Sequence, residues 1–461
     1  MSALRKIAFQ ARLLRKSQRG GITSVVSAPT GSDCQLGSRR AWVVWLVSAL
    51  FVLFQFFLQL TSAQIVSGLM NSFSLSGLGA GFLASSYYYV YVLLQSPAGV
   101  MMDRYGPRRL LSIGALIVMV GCGVFAMAPV VWVAFAGRLM MGSGAAFAYV
   151  GSLHLLSKWF PVKRFGLMTA LAETFGMVGT IVGGVFMASV MHANDWRTCM
   201  LFAAGVSLVI AVMIWVVVRD RPDNVHLITS RPSASWWGDT KWLFKNKVAW
   251  LNGIYAGCMF SIVTVFVALW GVPFIQLAYQ LNLADATMVC DAVFVGVALG
   301  GPLVGWLDAR YPTVRRLLLV ALPAVAMMIV LAILYVPHQS MLDLSVNMFF
   351  LGLFVSNYVL NFIIGNQIAE PHTRGASVGF VNMLSVGMAP LLQPLIGWLL
   401  DFVSPAHAVA PTGQLNYTLH EYHIALSLIP LCLLGAVVIG FFLPTPKKTE
   451  ADSGDLADPI V

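Results

Sequence analysis

The chain has 461 residues, 59% of them hydrophobic and only 10% charged, with a mean hydropathy of +0.81. Soluble domains carry about 25% charged residues, so no water-soluble packing hides this much apolar surface, and the solvent is lipid. The net charge of +10 does not point to nucleic acid, because the basic residues gather at the ends of apolar segments, the pattern that orients membrane helices.

Residues 1–40 are basic and rich in Ser and Gly. A cleaved signal peptide has a much shorter basic region before its apolar core, so a disordered cytoplasmic tail is expected. A helix needs roughly 20 apolar residues to cross the hydrocarbon core. Twelve candidates follow, near 42–62, 77–100, 109–129, 131–156, 165–190 and 198–218, then 249–275, 286–307, 316–336, 341–366, 376–402 and 421–443. Loops 103–109, 158–164, 219–247, 308–316 and 446–448 are rich in Lys and Arg, whereas 62–76, 128–131, 276–287 and 336–340 contain neither. Both termini are therefore expected in the cytoplasm. The implied division is a tail (1–40), a six-helix half (41–218), a central cytoplasmic loop (219–248), a second six-helix half (249–445) and a tail (446–461). The loop's Trp236-Trp237-Gly238 and lysines suggest a stretch lying at the headgroups. The six cysteines, at 34, 122, 199, 258, 290 and 432, have no metal or redox spacing.

Between spans two and three the chain reads Gly99-Val-Met-Met-Asp103-Arg104-Tyr-Gly106-Pro-Arg108-Arg109. A degraded copy, Asp308-Ala309-Arg310-Tyr311 followed by Arg315-Arg316, lies 205 residues on. Pro161-Val162-Lys163-Arg164 is echoed by Pro371-His372-Thr373-Arg374, 210 residues on. Two echoes at nearly one offset, each at a matching turn, imply a duplicated six-helix unit.

Over about residues 40–445 the chain resembles a major facilitator superfamily transporter. Gly99-x-x-x-Asp103-Arg104-x-Gly106-x-Arg108-Arg109 matches the family signature between helices two and three, and Arg138-x-x-x-Gly142-x-Gly144-Ala145-Ala146 resembles its helix-four signature. The family's antiporters carry a Gly-Pro pair in helix five. Here Gly179-x-x-x-Gly183-Gly184 has no proline, which argues against a typical drug/proton antiporter. Trp159-Phe160-Pro161-x-x-Arg164-Phe165-Gly166 resembles bacterial members related to phagosomal amino-acid transporters and to the lysosomal dipeptide branch. The resemblance implies an all-α polytopic membrane protein with twelve transmembrane helices as two six-helix pseudo-repeats, in the inner (plasma) membrane. It also implies that Gly99, Asp103, Arg104, Gly106, Arg108, Arg109, Asp308 and Arg315 form a conformational latch. Asp103 sits at a helix C-terminus, where the dipole disfavours a carboxylate, and a helix N-terminus near Ser377 would be a suitable partner. The arginines alone also read as topology signals.

Charged residues inside spans cost roughly 2.5–3.5 kcal/mol each on insertion scales and are functional candidates by default. Arg138 lies about two turns in from the outer end of span four and Glu173 about two turns in from the inner end of span five. Antiparallel neighbours would bring them together near the midplane. The functional reading gives Arg138 an anionic group of the substrate and Glu173 a proton; the structural one makes them an ion pair that fixes packing. Asp291 is placed to face an outer vestibule. Gln55 and Gln59, like Asn357 and Asn361, share a helix face at i,i+4. The family's helices one, four, seven and ten line its cavity, so both pairs read as substrate contacts or equally as interhelical glue. Tyr87, Tyr88, Tyr89 and Tyr91 cover more than one face of span two, so at most one or two can face a pore.

No phosphate loop and no metal or catalytic cluster occurs, so neither a cofactor nor a metal is expected and an enzyme is disfavoured. The expected partners are a small-molecule substrate, a proton or other coupling ion, and the bilayer; a monomer that binds no nucleic acid is expected. The function read from these residues is a proton-coupled secondary transporter of a small polar organic solute: an amino acid, a short peptide or an organic anion. The alternative is an exporter of drugs or metabolites on the same fold.

Overall fold

The structure, a computed structural model, describes residues 37–60, 62–160, 162–191, 195–220, 242–369, 374–404 and 417–445. Most of the N-terminal tail, the central loop's 221–241, the C-terminal tail and the Asp103 side chain lie outside the described residues. Every described element is helical. The first six spans are α1 (Arg39–Leu60), with α2 (Ser62–Phe73) continuing from it, α3 (Gly77–Tyr105), α4 (Pro107–Ala126), α5 (Val131–Trp159), α6 (Val162–Met191) and α7 (Trp196–Val217). Span seven joins α8 (Lys247–Ser261), a π-helical stretch (Ile262–Trp270) and α9 (Gly271–Tyr279). Span eight is α10 (Leu283–Arg310) and span nine is α11 (Arg315–Tyr335). Span ten joins α12 (Met341–Val355), a 3-10 turn (Ser356–Tyr358) and α13 (Val359–Ile368). Span eleven is α14 (Arg374–Gly387) with α15 (Ala389–Val403), and span twelve is α16 (Leu419–Leu426) with α17 (Leu428–Gly440). Among the described residues eleven helical runs are long and apolar enough to cross a bilayer, and α6 adds the apolar stretch Leu171–Met187.

Helices in lipid gain nothing from leaving one another's company for the chain tails, so close backbone approach decides which faces meet. Glycine supplies it here. A Cβ on Gly114 would lie 2.7 Å from the Gly144 carbonyl oxygen, and one on Gly121 would lie 2.9 Å from that of Gly137, which locks α4 to α5. On α6, Cβ atoms at Gly179 and Gly183 would fall 2.3 Å from the Leu53 carbonyl oxygen and 2.0 Å from the Phe57 ring. The proline-free glycine run of span five is thus the surface on which α1 packs. A Cβ on Gly142 would sit 2.0 Å from the Tyr87 oxygen of span two, and one on Gly352 would sit 2.0 Å from the Val293 oxygen of span eight. These glycines lie 210 residues apart, the offset of one sequence echo, so equivalent helices of the two halves meet through equivalent glycines.

The expected loop 62–76 is largely the helix α2. It carries no charge, its Ala63, Ile65, Val66, Leu69 and Met70 are buried, and Trp196 holds it by donating to Ser72 Oγ at 3.1 Å. At the other end of span two, Gly106 turns the chain with a φ of +83°, and the Arg108 backbone N–H donates to Asp220 Oδ1 at 2.8 Å. Asp220 caps α4 there.

The spans define two faces: a basic one, where Arg104, Arg108 and Arg315 lie, and a far one, where Gly77 and Asp401 lie. The two halves touch along α3–α15 and α6–α10, with α2 against the π-helical stretch. The tightest approach is at the far face, where a Cβ on Gly397 would lie 2.1 Å from the Gly77 oxygen and one on Gly81 would lie 2.6 Å from the Gln393 oxygen. Towards the basic face, Gly99 on α3 and Gly379 on α14 have no atom within 4 Å of a built Cβ among the described residues.

Candidate transport site

Arg138 is 4% exposed. Its Nη1 donates to the Leu58 carbonyl oxygen at 3.3 Å, and its Nη2 donates to Ser62 Oγ at 2.7 Å and to the Ala84 oxygen at 2.9 Å. The guanidinium also lies 5.4 Å over the Tyr87 ring. Leu58 and Ser62 flank the junction of α1 and α2, so the arginine pins that junction to span two. Its hydrogen bonds are satisfied, yet no carboxylate meets its charge among the described residues.

Glu173 sits elsewhere. Tyr358 Oη, from span ten, donates to its Oε1 at 3.2 Å, and the Tyr149 hydroxyl reaches the same carboxylate. The expected Arg138–Glu173 pair is therefore not formed. The α5 residue that meets Glu173 is Tyr149, 11 residues beyond Arg138; at 1.5 Å per residue that places the arginine about 16 Å further along the axis. Glu173 instead lies on the seam between the halves, bonded across it.

Asp291 does not face an open vestibule. It is 5% exposed, pressed against span five where a Cβ on Gly184 would lie 2.9 Å from its Oδ2, and that oxygen has no hydrogen-bond partner among the described residues. Gln55 Nε2 donates to Gln59 Oε1, so these two side chains bond each other. The asparagines of span ten face span seven. Asn252 and Asn361 bond reciprocally at 2.8–3.0 Å, while Asn357 Nδ2 donates to Tyr255 Oη at 2.7 Å and to the Leu318 oxygen at 3.0 Å. The asparagines thus hold spans seven and ten together, with Oδ1 of Asn357 and of Asn361 left without a partner among the described residues. Tyr87, Tyr88 and Tyr91 are buried, with Tyr87 stacked on Tyr91 at 5.7 Å, so they pack and do not line an open pore.

At the basic face, Arg108 reaches the Trp215 carbonyl oxygen with Nε and Nη2 at 2.9 and 2.7 Å, and Arg104 lies over Tyr105. Arg109 is exposed. Asp308 and Arg315 meet in a two-pronged pair at 2.6 Å, each 4% exposed at the side chain, and Arg315 Nη1 donates to Gln367 Oε1 at 2.7 Å. This pair ties spans eight, nine and ten within one half. Ser377 Oγ turns back to the Gly365 oxygen at 2.7 Å.

Several polar contacts escaped the sequence reading: Tyr149 on Glu173 within the first half and, across the seam, Tyr358 on Glu173, Asn382 Nδ2 donating to Gln95 Oε1 at 3.0 Å, and Asp401 on span two. Their signal was weak. A tyrosine among many aromatics and single amides within apolar runs do not stand out by type.

A twelve-span helical bundle in two halves, with ionisable groups buried along their seam, defines a membrane carrier. A family model for the Major Facilitator Superfamily matches residues 44–394, and the chain belongs to that superfamily. It is 21% identical over 412 residues to the probable galactarate/D-glucarate transporter GudP of Escherichia coli, covering 81% of this chain and 88% of that one. It is 24% identical over 386 residues to the membrane sensor protein UhpC of Escherichia coli, covering 77% and 83%. Among solved structures it matches a bacterial homologue of the human lysosomal transporter Spinster, inward-facing and unoccupied, with a TM-score of 0.69, 14% identity and coverage of 88% and 97%. The chain is an integral, multi-pass secondary transporter of small organic solutes, not an enzyme.

Proposed function

We propose that the solute is a small organic anion of the sugar-acid type and that its movement is coupled to a proton carried by Glu173. One observation carries this reading: opposite charges are held apart in the membrane, Arg138 in span four and Glu173 in span five, and neither has an ionic partner among the described residues. A buried charge without a counter-charge is costly, and an anion bound near Arg138 relieves that cost. A proton on Glu173 neutralises the second charge and turns one of its two acceptor oxygens into a donor. Binding of the anion and of the proton then each favour a seam free to part. The resemblance to a probable galactarate/D-glucarate transporter supports the solute class. In this reading the basic face lies in the cytoplasm and the docked far face is the external one. In the same reading Asp103 with its arginines closes the basic face, and Asp291 is the next carboxylate available to a proton.

The test is thermal stabilisation of the purified protein in detergent by sugar acids, other dicarboxylates, neutral sugars, amino acids and dipeptides. A ligand at about 100 times its Kd adds about 2.7 kcal/mol. Stabilisation by sugar acids and not by their neutral sugars supports the reading; stabilisation by neutral or zwitterionic solutes alone overturns it.

A further inference from the structure

We propose that Asp401 is the latch of the far face: it leaves its own half to cap the N-terminus of span two, and this contact holds the far side of the transport path shut. The first turn of α3 contains no acidic residue of its own. Its leading amides are nevertheless all occupied. Gly77 N–H donates to Asp401 Oδ1 at 2.9 Å and to Tyr417 Oη at 2.8 Å, and Leu78 N–H donates to Asp401 Oδ2 at 2.8 Å. Gly79 N–H goes to Ser76 Oγ at 3.3 Å, and Ala80 N–H goes to the Ser76 oxygen at 2.9 Å. Two of these amides are thus satisfied from the opposite half, by one carboxylate held with a tyrosine hydroxyl that also bonds it.

Asp401 lies two residues before the end of α15, the negative end of a helix dipole. That position is unfavourable unless a positive field faces it, and the N-terminus of α3 supplies one. When the halves separate here, two amides lose their acceptors and the carboxylate keeps only the Tyr417 hydroxyl. Backbone approach makes the contact possible, since Gly397, one turn before Asp401, lies directly on Gly77.

The arrangement mirrors the sequence feature at the opposite face. Gly99-Val-Met-Met-Asp103 ends α3 as Gly397-Trp-Leu-Leu-Asp401 ends α15, each aspartate two residues before the helix stops. Here Gly397 is in contact and Gly99 faces open space among the described residues.

The experiment measures the distance between spin labels at Asn71→Cys and His420→Cys, both exposed on the far face and in different halves, in a cysteine-free protein in lipid nanodiscs. Asp401→Asn removes the charge and one strong acceptor. Leu78→Pro removes the amide that meets Oδ2 at a helix position where proline is tolerated. Each is expected to raise the ratio of far-open to far-closed molecules roughly tenfold, the order of a lost charge-assisted hydrogen bond. If Asp401→Asn cannot be recovered as a monodisperse protein, Leu78→Pro decides alone. Distance distributions matching the parent in Leu78→Pro, or in both variants, overturn the proposal. The variants are compared with the parent without added solute and at one pH, with Glu173 left in place, so failure here is distinguishable from failure of the transport reading.

Discussion

Replacing Arg315 with methionine isolates the energetics of the one two-pronged ion pair buried among the described residues. Asp308 and Arg315 are each 4% exposed, and two N–H···O contacts of 2.6 Å join them. Removing one partner leaves the other as an uncompensated buried charge, a loss of about 3–5 kcal/mol. Arg315→Met strands the Asp308 carboxylate and is expected near the upper end. Asp308→Asn leaves Arg315 one amide oxygen together with Gln367 Oε1, and is expected near the lower end. The double variant Asp308→Leu/Arg315→Met buries no charge and is expected to recover most of the loss, because apolar replacements of buried pairs are often neutral. Unfolding of such a protein is commonly irreversible, so variants are ranked by the monodisperse fraction left after one fixed heating time. A double variant as unstable as the sum of the singles, or an Arg315→Met that survives heating like the parent, refutes the reasoning.

Gly352→Ala would place a Cβ 2.0 Å from the Val293 oxygen, so a loss of about 1–3 kcal/mol from overpacking is expected, read as reduced recovery on size exclusion. Arg138→Lys gives up the planar fork that spans Leu58, Ser62 and Ala84; lower thermal stability and a smaller shift with sugar acids are expected in the same melting assay. For orientation, a cysteine at Lys245 should be labelled only from the cytoplasm and one at His420 only from outside. Labelling of both from one side contradicts the twelve-span arrangement.

The spans and their repeat were legible because lipid imposes a length on each helix and leaves charges only at the ends. The Gly99–Arg109 turn was legible because charge at the end of an apolar run is conspicuous. The partners inside the bundle were not. Hydropathy locates Arg138 and Glu173 in depth but says nothing of their neighbours, and 11 residues of helix separate Arg138 from the Tyr149 that meets Glu173. The i,i+4 asparagines carried the right spacing for two roles, and only the position of Asn252 and Tyr255 on span seven selects packing. Asp401 was invisible because its partners are backbone amides, which no residue type advertises.

The central claim, that Glu173 carries the coupled proton, is tested most directly by uptake of a stabilising sugar acid into proteoliposomes with and without an inward proton gradient. Glu173→Gln keeps a group able to accept from Tyr358 but cannot exchange a proton. The account expects this variant to lose gradient-driven accumulation while retaining exchange of solute for solute. Accumulation by Glu173→Gln that still follows the proton gradient contradicts it.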